Sequence, residues 1–365
     1  MTARVAAPPT GSRPEAAALP RQNPAIVLRA GTWLSLPLRR RSVVVGGLLA
    51  LAVLALSVGT LTLGTLGIPL LDLPAAVVSP APGRTEFVLN VLRGPRLVTA
   101  LGVGAALGVA GALFQTVTRN PLGSPDVIGL GSGASAGAAF FGLLVPGVLP
   151  TPLGALVGAG AAMALVWLGT GRGFSSPSRM ILVGIGVSAM AVAFVQFVVT
   201  RVNQQEATVL SSYINGTLAD RSWSDSLTIW IPVVVLIPCA LALERRLALV
   251  EMGDELAESL GARVLVTRTL VILVAIGLGA ASVAAAGPIA FVSLTAPQIA
   301  RRLARAPGAG MLLSALLGAA LLVFADLLVQ QSPFGAQLPV GLLTAVVGGV
   351  YLGYLLVTEW KKGTL

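Results

Sequence analysis

Two arginines separated by a glycine and a proline, Arg93-Gly94-Pro95-Arg96, are the first side chains along this sequence with an evident chemistry. Proline fixes its own φ, so the guanidinium groups leave a stiffened step, and a pair of such forks can receive carboxylates. Anchoring is the other use, since long basic side chains beside apolar segments snorkel to the membrane surface. A second group is acidic. In Met252-Gly253-Asp254-Glu255-Leu256-Ala257-Glu258-Ser259-Leu260-Gly261, Met252, Leu256 and Leu260 recur every four residues, along one face of a helix. Asp254 and Glu255 fall in its first turn, where the helix dipole favours acids, and Gly261 stands where a C-terminal cap belongs. Residues 251–263 carry Glu251, Asp254, Glu255 and Glu258 against one base, Arg263. An anionic leaflet repels such a helix, whereas a cytosolic protein with an apolar groove rimmed by positive charge accepts it. Lying on the lipid surface is the plainer alternative. The third candidate is Asp326, the one acid well inside an apolar stretch. A carboxylate there costs about 2.5–3.5 kcal/mol on insertion scales. It needs a donor, either within a proton path or as a structural hydrogen bond near a helix end.

What the sequence lacks narrows the field further. There is no histidine, one cysteine (Cys239), and no lysine before Lys361 and Lys362. A zinc site, a histidine base, a haem-binding histidine and an intrachain disulfide are therefore excluded. A Walker A loop needs a lysine on its phosphates, so ATP hydrolysis within this chain is excluded too. No catalytic residue, metal ligand or cofactor is assigned.

The elements that must position these groups are set by hydropathy. Of 365 residues 55% are apolar and only 10% charged, with a mean hydropathy of +0.90. A soluble domain carries about 25% charged residues, so this chain is an integral membrane protein. Aromatic residues are only 5% while Gly numbers 43, which points to helices packed through small residues and excludes an outer-membrane barrel. A ruler of roughly 20 apolar residues predicts ten spans, near 43–64, 97–118, 127–147, 153–171, 180–200, 227–243, 266–286, 289–304, 312–330 and 340–358. With the N-terminus inside, 19 of the 24 Lys and Arg residues fall on cytoplasmic segments. Basic residues accumulate on that side, so both termini are placed in the cytoplasm, and the net charge of +10 reflects topology, not nucleic-acid binding. Residues 1–41 read as a disordered basic cytosolic tail ahead of a ten-helix domain, 42–365, with a long cytoplasmic connection at 244–265.

Small residues four apart, in Gly104-Ala-Ala-Leu-Gly108, Gly133-Ala-Ser-Ala-Gly137 and Gly154-Ala-Leu-Val-Gly158, allow helix backbones to approach closely. Arg119-Asn120-Pro121-Leu122-Gly123-Ser124-Pro125 makes a tight reversal between the second and third spans. On the outer side, 203–226 has room for a short helix.

Taken together, RGPR at 93–96, GAALGVAGALFQ at 104–115, RNPLGSPDVIGLGSGASAG at 119–137, MGDELAESLG at 252–261, AAAGPIAFVSLTAPQIARRL at 284–303, Ala325-Asp326 and QLPVGLLTAVVGG at 337–349 resemble the FecCD-type permeases. These are membrane subunits of importers for iron-siderophores, haem and vitamin B12, powered by a separate ATPase. The resemblance runs from about residue 42 to the C-terminus. It implies an all-α, ten-helix multi-pass protein of the cell membrane with the vitamin-B12-permease-like fold of type II ABC importers. It also implies a second permease subunit, identical or paralogous, two cytoplasmic ATPases and an extracytoplasmic siderophore-binding protein. The same resemblance assigns 252–261 to the coupling helix seated in the ATPase, and Arg93 and Arg96 to docking of the binding protein. Where the family commonly has a histidine and a glutamate, this chain has Gln298 and Gln337, and Gln330 replaces an arginine of the vitamin B12 permease. The Gly348-Gly349-Val350-Tyr351 ending is closer to the siderophore branch, with haem or vitamin B12 as the alternative cargo. The rival class, a transporter driven by an ion gradient, needs intramembrane ionisable clusters and broken helices in corresponding halves.

Overall fold

A computed structural model of the protein describes residues 25–30, 34–171, 177–203, 214–305, 310–332 and 338–361. Residues 1–24 of the expected tail, Arg172, Gln337, Lys362 and much of the outer segment at 203–226 lie outside the described residues.

The chain divides into a small N-terminal unit ending at Arg40 and a helical unit from Arg41 onward. In the first, β1 (Ala25–Ala30) pairs antiparallel with β2 (Leu34–Arg39), Ala25 opposite Arg39 and Ala30 opposite Leu34. Ile26-Val27-Leu28 and Leu34-Ser35-Leu36 combine β-branched and apolar residue types that favour extended pairing.

The rest is helical: α1 (Arg40–Thr62), α2 (Leu73–Val78), α3 (Arg84–Phe87) running into a π-helical turn at Val88–Leu92, α4 (Gly94–Thr118), and α5 (Leu130–Ala139) with a π-helical turn at Phe140–Leu144. Then come α6 (Thr151–Gly169), α7 (Pro177–Val199), α8 (Trp223–Glu251), α9 (Asp254–Ser259), α10 (Val264–Ala286), α11 (Val292–Ala304), α12 (Met311–Gln330) and α13 (Val340–Lys361). All ten expected spans correspond to helices. Among the described residues seven helices are long and apolar enough to cross a membrane, with shorter apolar helices at Leu130–Leu144 and Val340–Tyr354. The remaining expected span is α11, of 13 residues.

Helix α4 is the axis of the bundle. Of its apolar window 83% is buried, against 6% for α1, which turns most of its surface outward as a lipid-facing helix must. The small residues of α4 explain how it is surrounded. A Cβ on Gly104 or Gly108 would strike the backbone of α12 at Gly318 or Ser314, and one on Gly111 would strike Ser293 of α11. A second seam joins α5 to α6, where Gly133 and Gly137 meet Gly154 and Gly158 backbone to backbone. The two small-residue motifs at 133–137 and 154–158 are thus halves of one contact.

Between α10 and α11 the chain leaves the helical path at 287–290, and Phe291 adopts a left-handed backbone with φ 68°. Its surroundings satisfy this break, with the Thr217 amide donating to the Ala286 carbonyl at 2.9 Å. Irregular backbone within a membrane bundle survives where protein surrounds it. Cys239, on α8, is exposed.

Candidate functional site at the two ends of helix α4

Twenty-five residues of helix separate the ends of α4 by about 37 Å. Each end carries a cluster of charges.

At the first end, Gly94 and Pro95 open α4, and Arg93 and Arg96 flank its first turn. Arg93 is 8% exposed, and its Nη1 donates to the carbonyl oxygens of Thr60 (2.8 Å) and Leu63 (2.7 Å). These belong to the end of α1, where carbonyls lack intrahelical partners and the dipole is negative. Arg84 reinforces this segment by donating to the Thr65 carbonyl. Arg96 takes the other direction. Its Nε and Nη2 clamp the carboxylate of Asp326 at 2.6–3.0 Å, and Gln330 Nε2, one turn on, donates to Asp326 Oδ2 at 2.7 Å. Asp326 is 1% exposed, so the membrane-embedded acid on α12 is neutralised by a fork from α4. In front of both arginines lies a cavity of about 440 Å³, with Gly64, Leu92, Gln330 and Gln331 among its walls. The sequence places a carboxylate receptor or a lipid anchor here. The geometry shows both guanidiniums bound inside the chain and lining one cavity.

At the other end, α4 stops at Arg119, which adopts the left-handed conformation (φ 50°) more usual for glycine. Its guanidinium donates to the carbonyl of Val250, at the end of α8, and to Asp254, the first residue of α9. Arg268, buried on α10, donates Nη2 to both Asp254 oxygens at 3.0 Å. Burial alone would raise the Asp254 carboxyl, but hydrogen bonds and positive charge from Arg268 and Arg119 outweigh it and hold it below the usual aspartate range.

Helix α9 itself is short and bounded by Gly253 and Gly261, both at positive φ. Only Ala257 turns inward, packing with Val250 and Val264. Met252, Leu256 and Leu260 are all exposed, as are Glu255, Glu258 and Ser259. An apolar ridge with acids beside it, unpaired with any described element, is a surface shaped for another molecule.

The reversal after α4 is braced from α11. Gln298 Nε2 donates to the Pro121 carbonyl at 2.6 Å, Gln115 Nε2 to the Leu294 carbonyl at 2.9 Å, and Arg301 Nη2 to Gln115 Oε1 at 3.0 Å. Ser293 Oγ donates to Asp126 Oδ2 at 2.7 Å, beside a second cavity of about 340 Å³ between α5, α7 and α13. Asp126, Arg119 and Arg268 are functional candidates that sequence reasoning passed over. Each sits at the edge of a span; Asp126 and Arg119 acquire their meaning from partners far along the chain, and Arg268 from Asp254, 14 residues before it.

The sequence model of the FecCD transport family matches residues 48–358, the whole body of this bundle. The chain belongs to the FecCD transport family. It is 41% identical to the ferric enterobactin transport system permease protein FepG of Escherichia coli (strain K12), over 79% of this chain and 88% of that protein. It is 37% identical to the achromobactin transport system permease protein CbrC of Dickeya dadantii (strain 3937), over 78% of this chain and 82% of that protein. Among solved structures, an inward-facing metal-chelate type ABC transporter superimposes with a TM-score of 0.75 at 25% identity, covering 87% of this chain and 99% of that one. As a FecCD permease the chain is a multi-pass membrane protein and a transport subunit.

Proposed function

We propose that this FecCD permease is one half of the transmembrane pathway of an ABC importer for ferric siderophores. The observation that carries the reading is its 41% identity with a ferric enterobactin permease across 79% of this chain and 88% of that one. The work stroke comes from outside the chain. One of two cytoplasmic ATPases receives α9 and its flanks, where exposed Met252, Leu256 and Leu260 enter an apolar groove while Glu255 and Glu258 meet a basic rim. No ATP is hydrolysed by this chain, whose only lysines are Lys361 and Lys362. A second permease subunit completes the pathway. At the opposite end, acidic residues of an extracytoplasmic binding protein dock over the cavity lined by Arg93 and Arg96. Sparse polarity along the spans suits a conduit that must release its cargo.

The test is growth on a ferric siderophore as sole iron source. Deletion of this chain, in a strain without another uptake system, should abolish growth, and the intact chain should restore it. Undiminished growth of the deletion strain would refute the assignment.

A further inference from the structure

The reading of α9 as the coupling helix leaves open how its movement reaches the bundle. Its covalent links run through Gly253 and Gly261, both at positive φ with open space around them. Glycine joints of this kind yield readily, and the buried contact of α9 is confined to Ala257. A push on α9 carried by backbone alone would be absorbed at its two ends.

The side chain of Asp254 bypasses those joints. Its carboxylate accepts from Arg119, which follows the last turn of α4, and from Arg268, buried within α10. Arg119 also holds the Val250 carbonyl, so one guanidinium gathers the ends of α4, α8 and α9. Arg119 does this from a left-handed backbone position that residues other than glycine, asparagine and aspartate seldom occupy. The conformation would be met more easily by glycine, and it is the long charged side chain that glycine could not supply.

We propose that Asp254, gripped by Arg119 and Arg268, is the joint that delivers displacement of the coupling helix to the buried axis α4. Asp254, Arg119 and Arg268 are positioning residues in this role. The inference rests on α9 being the ATPase-docking helix.

The test uses the full importer, purified and reconstituted in proteoliposomes, with three readings: ATPase retained, ATP hydrolysed, and ferric siderophore moved per ATP. The informative variants are Asp254→Asn, which keeps shape and removes charge, and Arg119→Gly, which suits the left-handed backbone and so should not unfold the turn. Both should retain the ATPase and hydrolyse ATP, while cargo moved per ATP falls roughly five- to tenfold. Asp254→Glu, which keeps the charge, should recover part of that loss. Unchanged cargo per ATP in both Asp254→Asn and Arg119→Gly would overturn the proposal. So would loss of the ATPase itself from both, since the cluster would then only shape the docking surface. A wild-type chain that retains no ATPase would instead remove the coupling reading, and the joint with it.

Discussion

Asp326 and Arg96 show how a charge is kept inside an apolar bundle. The acid is almost wholly enclosed and the arginine nearly so, with side-chain exposures of 2% and 17%. Breaking such a pair from one side leaves a buried charge alone, whereas replacing both partners by apolar residues removes the problem. Arg96→Met should therefore lower stability by about 3–5 kcal/mol, and adding Asp326→Leu should recover most of the loss. Thermal unfolding in detergent reads both. Asp254 behaves differently because it faces solvent. The fold holds its carboxyl below the usual range, so its contribution is complete above the ordinary aspartate value of about 4 and is lost as pH falls through the lowered one. Amide exchange over 252–262, corrected for intrinsic rate, should accordingly show constant protection from about pH 8 to 5 and loosening only below about 4. Asp254→Asn should show the loosened pattern at every pH.

At the scale of elements, hydropathy made the ten spans legible because an unbroken apolar run of about 20 residues, in a chain with so few charges, matches the thickness of the bilayer core. The four-residue recurrence of Met252, Leu256 and Leu260 likewise made α9 legible, and it is helical over Asp254–Ser259 with that face outward. Helices α2 and α3 escaped notice, being too short to show a period. The ion pairs escaped for a different reason: Arg96 and Asp326 are 230 residues apart, and nothing local in either segment announces the other. Glycine spacing was legible as close packing but not as a choice of partner. That choice now makes a sharp contrast between two helical positions. Gly108→Ala drives a methyl into the α12 backbone and should cost about 1–3 kcal/mol. Gly47→Ala, on the outward side of α1 with nothing within 4 Å, should gain about 0.5–1 kcal/mol. Unfolding midpoints of the two variants should move in opposite directions.

For the whole molecule, α4 is a shaft with a charge cluster at each end and no hydrolytic machinery proposed along it. Reconstituted without its partners the chain should accumulate no ferric siderophore in vesicles, even under an imposed proton or sodium gradient, as radiolabelled uptake would report. Replacing Leu256 and Leu260 by Asp should strip the ATPase from the purified complex while leaving the unfolding temperature nearly unchanged, since both side chains are exposed. The glycine seams then decide where alternation between outward and inward opening can happen. Backbones in direct contact leave no slip plane, so α4 with α12, and α5 with α6, must travel as solid blocks. Sliding is left to the borders lacking such seams, above all the void that separates α7 from α13 around Val195, Gln196 and Leu342. A covalent cross-link placed across α5 and α6 should be silent in uptake, and one bridging α7 to α13 should arrest it.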